Sequence, residues 1–272
     1  MKSIAAIMTV HNRKEKTLAC LDSIFNQEII LDQFAIKVVI TDDGSTDGTT
    51  GAARKCYPDV NILNGSGDLY WNIGMHLAFG KAIEDGYDFY LWVNDDTILF
   101  PEAIARLLRT SKLYQHNAII AGSTQDPITH QRTYSGVIRL HPARPMHFTP
   151  VEPQNEPVPI ETMNGNCVLI PKSVVKILGN LDPAFSHATG DFDYGLRAQE
   201  KGIQVILAPG YYAYCKKNQN DFKGASIGKK LKILISKKGL PPKDWAIFTK
   251  RYAGPFWTIY WISPYLKRIL KR

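Results

Sequence analysis

The sequence predicts an α/β fold in which a mainly parallel, Rossmann-like sheet is flanked by helices. Apolar runs of strand length alternate with segments of helical periodicity through the first half of the chain, a pattern typical of parallel sheets with right-handed crossovers. These runs end in short polar turns rich in acidic residues, and open α/β sheets bind ligands at the carboxyl ends of their strands. A chain of 272 residues with 44% hydrophobic content can also bury the core that this fold needs.

The elements of the first half follow one another without a long interruption. We expect strands at residues 3–10, 35–41, 60–63 and 87–93. The helices between them are indicated by apolar residues at helical spacing, or by turn residues that precede a helix: Leu18, Leu21 and Phe25, then a start near Thr49, then Ile73, Leu77, Ala78 and Ile83.

The second half is less regular. A helix with its apolar side at residues 103–108, strands at 118–121 and 167–170, and short helices from Lys172 and from Gly190 are predicted. Between residues 125 and 160, seven prolines exclude a long helix and favour a small antiparallel excursion. This excursion is either an insertion that faces the acceptor or a structural flap.

The last part of the chain is basic and aromatic. The net charge is +8, and from Lys216 onward fifteen Lys or Arg face two Asp. We predict one α/β domain at residues 1–224 and a helical extension at 225–272, whose aromatic residues and cations suit an interfacial helix on an anionic membrane. The alternative is a helical hairpin packed on the domain. Nucleic acid is not the expected partner, because the apolar residues here are continuous enough to need burial.

Other features bear on location. No run of about 18 uncharged apolar residues occurs, and the first residues lack a signal-peptide pattern. We therefore expect a cytoplasmic protein that is peripheral on the inner face of the cell membrane. The four cysteines are widely spaced and are predicted to be reduced thiols. The oligomeric state is left open.

Two adjacent carboxylates follow the most apolar of these strands. The run at residues 87–93 stops at Asn94, Asp95 and Asp96. Neighbouring carboxylates in a crevice repel each other unless a cation neutralises them, so this strand end favours Mg²⁺ or Mn²⁺ bound together with a diphosphate. A plain Asn/Asp turn after a strand is the alternative.

A second acidic centre opens the helix predicted at Gly190. Asp191 and Asp193 lie in its first turn, and Arg197 follows Asp193 at the i+4 spacing that suits an ion pair. Asp191 is either a chemical group or the N-cap of this helix, a common use of Asp.

Four motifs in order resemble the family 2 glycosyltransferases, which are inverting enzymes with the glycosyltransferase A fold. They are TVHNR at residues 9–13, TDDGSTDGT at 41–49, VNDDT at 93–97 and GDFDYGLRA at 190–198, and the likeness covers residues 3–205. In addition, GDLYWNIGMHLAF at 67–79 resembles a bacterial subgroup that includes rhamnosyltransferases of surface polysaccharide assembly. The chain departs from the family pattern at Asn94 and Gly190, where many relatives carry an acid, and at His76, where the subgroup often has Asn.

The resemblance implies a role for each matching residue. Asp191 would be the general base, Asp96 would coordinate the Mn²⁺ or Mg²⁺ ion, and Asp95 would contact the donor's ribose or the metal. Donor-binding positions would be Thr9, His11, Asn12, Arg13, Asp43, Trp71 and Asn94. Of these, Thr9 and Asp43 would contact the nucleobase, where a carboxylate can accept from a pyrimidine imide N–H. His187 and Asp193 would face the acceptor, although His187 is otherwise read as a surface histidine.

The implied reaction is the metal-dependent transfer of a sugar, with inversion, from a UDP- or dTDP-sugar to a hydroxyl of a glycan or lipid-linked acceptor. A divalent ion stabilises the leaving diphosphate, and one carboxylate takes the proton of the attacking hydroxyl. The alternatives are a sugar nucleotidyltransferase and a catalytically silent membrane- or glycan-binding relative. The first would need a basic, glycine-rich loop at the first strand, and the second would be expected to have lost an acid.

Overall fold

The computed structural model describes residues 2–28, 34–141, 143–217 and 226–270. The first half of the chain alternates strands and helices as predicted. In order, the elements are β1 (Lys2–Val10), α1 (Lys14–Phe25), β2 (Phe34–Asp42), α2 (Thr49–Cys56), β3 (Asn61–Asn64), α3 (Tyr70–Asp85) and β4 (Phe89–Val93).

The second half adds shorter strands and the C-terminal helices. It contains β5 (Ile98–Leu99), α4 (Ala103–Leu113), β6 (Ile119–Gln125), β7 (Arg132–Tyr134), β8 (Gly136–Arg139), β9 (Phe148–Pro150), β10 (Val158–Ile160), β11 (Thr162–Met163), β12 (Cys167–Pro171), α5 (Lys172–Leu178), α6 (Gly190–Glu200) and β13 (Val205–Tyr214). The chain continues with α7 (Ile227–Ile235), α8 (Pro242–Tyr252) and α9 (Trp257–Leu270).

One large sheet organises these elements. Its strand order is β10-β13-β6-β12-β4-β1-β2-β3, and the neighbours β4, β1, β2 and β3 are parallel. β12 lies antiparallel between β4 and β6, while β13 runs parallel to β6. The carboxyl ends of β1, β2 and β4 therefore meet at one edge of the sheet, and Val10 pairs with Asp42 at that edge.

The proline-rich segment forms the predicted antiparallel excursion. β11, β8 and β9 make a separate three-stranded antiparallel sheet, and β10 joins the edge of the large sheet. The mainly parallel α/β architecture with this small excursion and C-terminal helices is thus confirmed by the structure.

An aromatic cluster fixes α6 against the sheet. The ring centroids of Phe79 on α3 and Trp92 on β4 lie 5.5 Å apart, and those of Trp92 and Tyr194 on α6 lie 4.9 Å apart. All three side chains are fully buried. Burial of such a side chain contributes about 2 to 3 kcal/mol, and edge-to-face contacts add to it. The helix that carries Asp191 is therefore held in a fixed position relative to β4.

The C-terminal helices pack on α6 through α8. Phe248 is buried against Phe185 and Leu196, and both Ser186 N–H and Ser186 Oγ donate to the Asp244 carboxylate at 2.7 and 2.6 Å. The predicted boundary between residues 224 and 225 lies outside the described residues, so the division into two domains stays a prediction.

Two further expectations concern helix length and thiols. Among the helices in the described ranges, none is long and apolar enough to cross a membrane. Cys20, Cys56, Cys167 and Cys215 are free thiols, as predicted, and only Cys56 is exposed.

Candidate active site

A pocket opens at the sheet edge where β1, β2 and β4 end. Most of the described residues that line it come from the loops after these strands and from the start of α3: Thr9, Val10, His11, Arg13, Asp43, Gly67, Tyr70, Trp71, Asp95, His187 and Lys238. Six of the predicted donor-binding residues, together with His187, are thus brought to one cavity.

Asp43 organises the wall formed by the start of α3. Its carboxylate accepts hydrogen bonds from the backbone N–H groups of Gly67 at 2.8 Å, Leu69 at 3.0 Å and Tyr70 at 3.0 Å. Free N–H groups at a helix start favour an anion in this way. His11 Nδ1 in turn donates to the Asp43 carbonyl at 2.6 Å. Asp43 therefore fixes the pocket wall, and its contact with a nucleobase imide stays a prediction.

Arg13 bridges the two carboxylates that follow β4. Its Nη1 lies 3.0 Å from Asp95 Oδ1 and 3.0 Å from Asp96 Oδ2, and Lys16 Nζ approaches Asp96 at 3.9 Å. Burial raises the pKa of the Asp95 carboxyl to about 6, an effect that Arg13 opposes and Asp96 increases. The two neighbouring carboxylates thus share one cation, the Arg13 guanidinium.

Cys215, which follows β13, contacts the Asp96 oxygen that does not pair with Arg13. Its thiol lies 3.6 Å from Asp96 Oδ1. Burial, with a further contribution from Asp96, raises the pKa of this thiol to about 12, so the sulfur stays protonated and neutral beside the carboxylate.

Trp71 connects the two acidic centres. Its indole N–H donates to the Asn94 side-chain oxygen at 2.7 Å, and its ring lies so close to Gly165 that a Cβ there would overlap it. The Gly165 N–H donates to Asp191 Oδ2 at 3.0 Å. The indole therefore spans the space between the loop after β4 and the residue next to Asp191.

Asp191 is half-buried at the start of α6. Besides Gly165 N–H, its carboxylate accepts from Phe192 N–H at 2.9 Å. Burial raises its pKa to about 6, although these backbone hydrogen bonds oppose the shift. The N-cap residue of α6 is Thr189, so the alternative that Asp191 is the N-cap is wrong. A carboxylate with a pKa near neutrality suits a proton acceptor.

His187 lines the pocket instead of lying free on the surface. The backbone N–H of Trp71 donates to its Nδ1 at 3.3 Å, which leaves Nε2 as the protonated nitrogen of a neutral ring. Burial, together with the charges of Lys238 and Arg13, lowers the pKa of His187 to about 4. The ring is therefore neutral at physiological pH.

The prediction that Asp193 faces the acceptor is wrong. This carboxylate is fully buried and accepts from Arg197 Nε at 2.8 Å, Arg251 Nη1 at 2.6 Å and Tyr252 Oη at 2.8 Å. The i+4 pair with Arg197 that the sequence indicated is present within α6, while the contacts of Asp193 with Arg251 and Tyr252 join α6 to α8.

Two other predicted donor-binding side chains are engaged elsewhere. Asn12 accepts from Thr46 N–H at 2.7 Å and so ties the loop after β1 to the loop after β2. Asn94 is the partner of Trp71 already described. Neither is among the described residues that line the pocket, so both act through neighbours in this structure.

Lys238 and Tyr70 line the pocket although the sequence analysis did not single them out. Tyr70 lies within the GDLYW motif, so its neighbourhood to Trp71 was a usable signal. Lys238 belongs to the basic tail, and nothing in the linear sequence connects it to residues 9–13 or 41–49.

Acidic residues lie at the carboxyl ends of parallel strands around this pocket, where open α/β sheets bind their ligands. The chain belongs to glycosyl transferase family 2, and the family model matches residues 5–179. The protein is therefore a glycosyltransferase, as the motifs predicted.

Curated relatives agree with the finer resemblance. Over 197 residues the chain is 25% identical to N-acetylglucosaminyl-diphospho-decaprenol L-rhamnosyltransferase from two strains of Mycobacterium tuberculosis. The match covers 64% of this chain and 64% of each relative, so the chain spans less than two thirds of their length. The predicted likeness to the rhamnosyltransferase subgroup is confirmed.

Solved structures support the fold. The mannosyltransferase PcManGT from Pyrobaculum calidifontis, in complex with GDP-Man and Mn²⁺, superposes with a TM-score of 0.56 at 14% identity, covering 97% of this chain and 68% of that one. Residues 1–349 of TarS from S. aureus give a TM-score of 0.55 at 16% identity, covering 79% of this chain and 60% of that one. The predicted glycosyltransferase A fold is confirmed.

Proposed function

We propose that this protein transfers a sugar, with inversion, from a UDP- or dTDP-sugar to a hydroxyl of a glycan or lipid-linked acceptor in bacterial surface polysaccharide synthesis. The observation that carries this proposal is that Trp71 connects two acidic centres. Asp95 and Asp96 hold a positive charge at the pocket, and Asp191, with its raised pKa, lies beyond the Trp71 indole.

The residues at the first centre fit a divalent ion. Asp95 and Asp96 offer hard carboxylate oxygens on both sides of the Arg13 guanidinium, and Mg²⁺ and Mn²⁺ prefer such ligands. In the described part of the chain, no group of three or more His, Cys, Asp or Glu side chains could hold a metal. A bound donor would supply diphosphate oxygens as further ligands. When bound, the ion would stabilise the negative charge of the leaving nucleoside diphosphate.

Asp191 supplies the base of the second centre. In its ionised form it accepts the proton of the acceptor hydroxyl while that oxygen attacks the anomeric carbon. Transfer by such a single displacement inverts the anomeric centre. Similarity to an enzyme named for a diphospho-decaprenol acceptor supports a lipid-linked acceptor here.

The exposed face of α9 supports a location at a membrane surface. Ile259 is 60% exposed, and Ile262 and Leu266 of α9 are also exposed, as are Phe256 just before the helix and Lys267. Apolar side chains beside cations suit the interface of an anionic leaflet, where each nearby charge contributes about 1 kcal/mol. A lipid-linked acceptor would be presented at that surface.

A donor screen tests the proposal. The full-length protein is incubated with UDP-, dTDP- and GDP-sugars, with and without Mn²⁺, and release of nucleoside diphosphate is measured with prenyl-diphosphate sugars as acceptors. We expect metal-dependent turnover of a UDP- or dTDP-sugar. Formation of a sugar nucleotide from a nucleoside triphosphate would favour a nucleotidyltransferase instead, and donor binding without turnover would favour a silent relative.

A further inference from the structure

We propose that Lys238, on the turn between α7 and α8, is a positioning residue that binds the diphosphate of the nucleotide-sugar donor. The C-terminal extension would then complete the donor pocket as well as pack on the catalytic domain. This inference rests on the proposed function, and it assigns part of that function to a segment that lies outside the matched family region, residues 5–179.

Lys238 stands at the pocket with Arg13, Asp95 and His187. None of the ion pairs between described residues involves its ammonium group, and the residue is exposed. Its positive charge nevertheless acts on His187 in the cavity: after burial, it is the largest contribution to the lowered pKa of that histidine. An unpaired cation at the mouth of a substrate pocket is a ready partner for an anion.

Contacts of the neighbouring Lys237 hold this turn against the pocket wall. Its ammonium donates to the Asp68 carbonyl at 3.0 Å and pairs with the Asp68 carboxylate. It also lies 4.9 Å from the centre of the Tyr70 ring. Lys237 is thereby anchored to the start of α3, and the adjacent Lys238 is left facing the cavity.

The helix α9 holds the other side of the same turn. The Tyr265 hydroxyl donates to the Leu240 carbonyl at 2.9 Å, and the Trp261 indole N–H donates to the Pro242 carbonyl at 3.0 Å. Gly239 allows the chain to fold back on α7, since a Cβ there would overlap the carbonyl oxygens of Ile233 and Leu234. The position of Lys238 is thus set by contacts on both sides.

The charges in the pocket favour an anion contact for Lys238. The diphosphate of a nucleotide sugar is a dianion, whereas Arg13 is already shared between Asp95 and Asp96. His187 is neutral. Among the described residues that line the pocket, Lys238 is a cation with no ion-pair partner, and it can make a charge-assisted contact with a diphosphate oxygen beside the metal ion.

A lipid-linked acceptor also contains a diphosphate, so the source of this anion must be distinguished. The donor is favoured, because Lys238 shares its cavity with Thr9, Asp43 and Asp95 at the strand ends where the nucleotide is proposed to bind.

The test compares the affinity of full-length variants for UDP, dTDP and GDP with their affinity for the corresponding nucleosides, by calorimetry or competition in the presence of Mn²⁺. We expect Lys238→Ala to weaken nucleoside diphosphate binding about tenfold, as the loss of one charge-assisted contact would, and to leave nucleoside binding unchanged. Lys238→Arg should retain most of the affinity. Lys250→Ala, which removes an exposed lysine of α8, is the matched control and should bind as the wild type does.

Three results would overturn the inference. Lys238→Ala could bind nucleoside diphosphates as tightly as the control, or lose diphosphate and nucleoside affinity equally. It could also bind nucleoside diphosphates normally but bind vesicles that contain a polyprenyl diphosphate more weakly, which would assign Lys238 to the acceptor. Failure of the wild type itself to bind any of the three nucleotides would instead refute the proposed function.

Discussion

The side-chain amide of Asn72 lies against the α-carbon of Gly190 so closely that a Cβ at position 190 would overlap its Oδ1. Asn72 is fully buried, and its Nδ2 donates to the carbonyls of Asp182 at 2.8 Å and Phe185 at 2.7 Å. The amide cannot turn away without losing both hydrogen bonds. Any side chain at position 190 would therefore overlap Asn72, which favours glycine there.

Gly190→Ala should disturb the site from this position. The added methyl group would force the first turn of α6, with Asp191, to shift, and overpacking of a core costs about 1 to 3 kcal/mol. We expect a lower melting temperature and at least a tenfold loss in kcat. Gly228→Ala on α7 is the matched control, because a Cβ there meets no atom within 4 Å. If both variants behaved alike, the steric explanation would be refuted.

Asp96→Asn should uncouple nucleotide binding from the metal. The amide removes one of the two carboxylates that flank Arg13, so Mn²⁺ should no longer increase the affinity for a nucleoside diphosphate, while affinity without metal is retained. Titration calorimetry with and without Mn²⁺ measures this, together with an expected loss of activity. Asp59→Asn, at a highly exposed carboxylate, is the control. An unchanged Mn²⁺ effect in Asp96→Asn would remove this residue from the metal site.

Asp191→Asn should separate chemistry from donor binding. Loss of a positioned proton acceptor lowers turnover by roughly two to four orders of magnitude. The affinity for nucleoside diphosphate should stay within about twofold of wild type, because the substitution does not touch the residues proposed to bind the metal and the nucleobase. Steady-state kinetics and calorimetry give the two values. A fall in donor affinity with preserved turnover would show that Asp191 is not the base.

The raised pKa of Asp191 also predicts opposite pH trends for activity and stability. Only the ionised carboxylate can accept a proton, so kcat/KM should rise with pH through about 6. Since folding favours the protonated form, the stabilisation by this group is fully present below the unfolded pKa and is lost as pH rises through about 6. A pH series of kcat/KM and of chemical denaturation checks both trends, and in Asp191→Asn the stability trend should be weaker.

Arg251→Met should destabilise the protein without changing the pocket. It removes one of the two arginines that neutralise the buried Asp193, and its pair with Asp182 at 2.6 Å. Breaking a buried ion pair is costly, and we expect about 2 kcal/mol here because Arg197 remains and Arg251 is partly exposed. Urea denaturation measures the loss. Lys250→Met, the exposed neighbour, should leave the free energy of unfolding within about 0.5 kcal/mol of wild type.

The exposed face of α9 should carry membrane binding. The double change Ile259→Ser and Ile262→Ser should reduce cosedimentation of the full chain with anionic liposomes by at least about tenfold, because apolar burial and cation attraction act together. Higher salt should weaken the wild-type interaction. Leu113→Ser on α4, a residue with 69% exposure, is the control. Absence of wild-type binding at every salt concentration would refute this prediction.

The sequence predicted the first half of the fold, β1 to β4, well because its signals are local. Strand periodicity and the acidic turns after β2 and β4 fall within short windows, so Asp43, Asp95 and Asp96 could be assigned to one edge. β13 was not predicted, and Pro209-Gly210 in its middle is typical of a turn. In the structure the strand continues through a register shift between Leu207 and Tyr211, which a tertiary partner, β6, stabilises.

Residues whose roles depend on distant partners were not predictable in this way. The Asp193–Arg197 pair was visible at i+4, but Arg251 and Tyr252, which complete the burial of Asp193, come from α8. Lys238 reaches the pocket only because Lys237, Tyr265 and Trp261 hold its turn. The packing of the last three helices sets these positions, and no local pattern encodes it.

Taken together, the proposals for membrane binding and for Lys238 make α9 a link between the two. One side carries exposed apolar side chains, and the other contacts the turn that places Lys238 at the pocket. We expect the protein free in solution, in which α9 is less restrained, to have a lower affinity for its donor than the protein bound to a lipid leaflet. Sugar transfer would then occur mainly at the membrane, where lipid-linked acceptors lie, and hydrolysis of the donor by the unbound enzyme would stay slow.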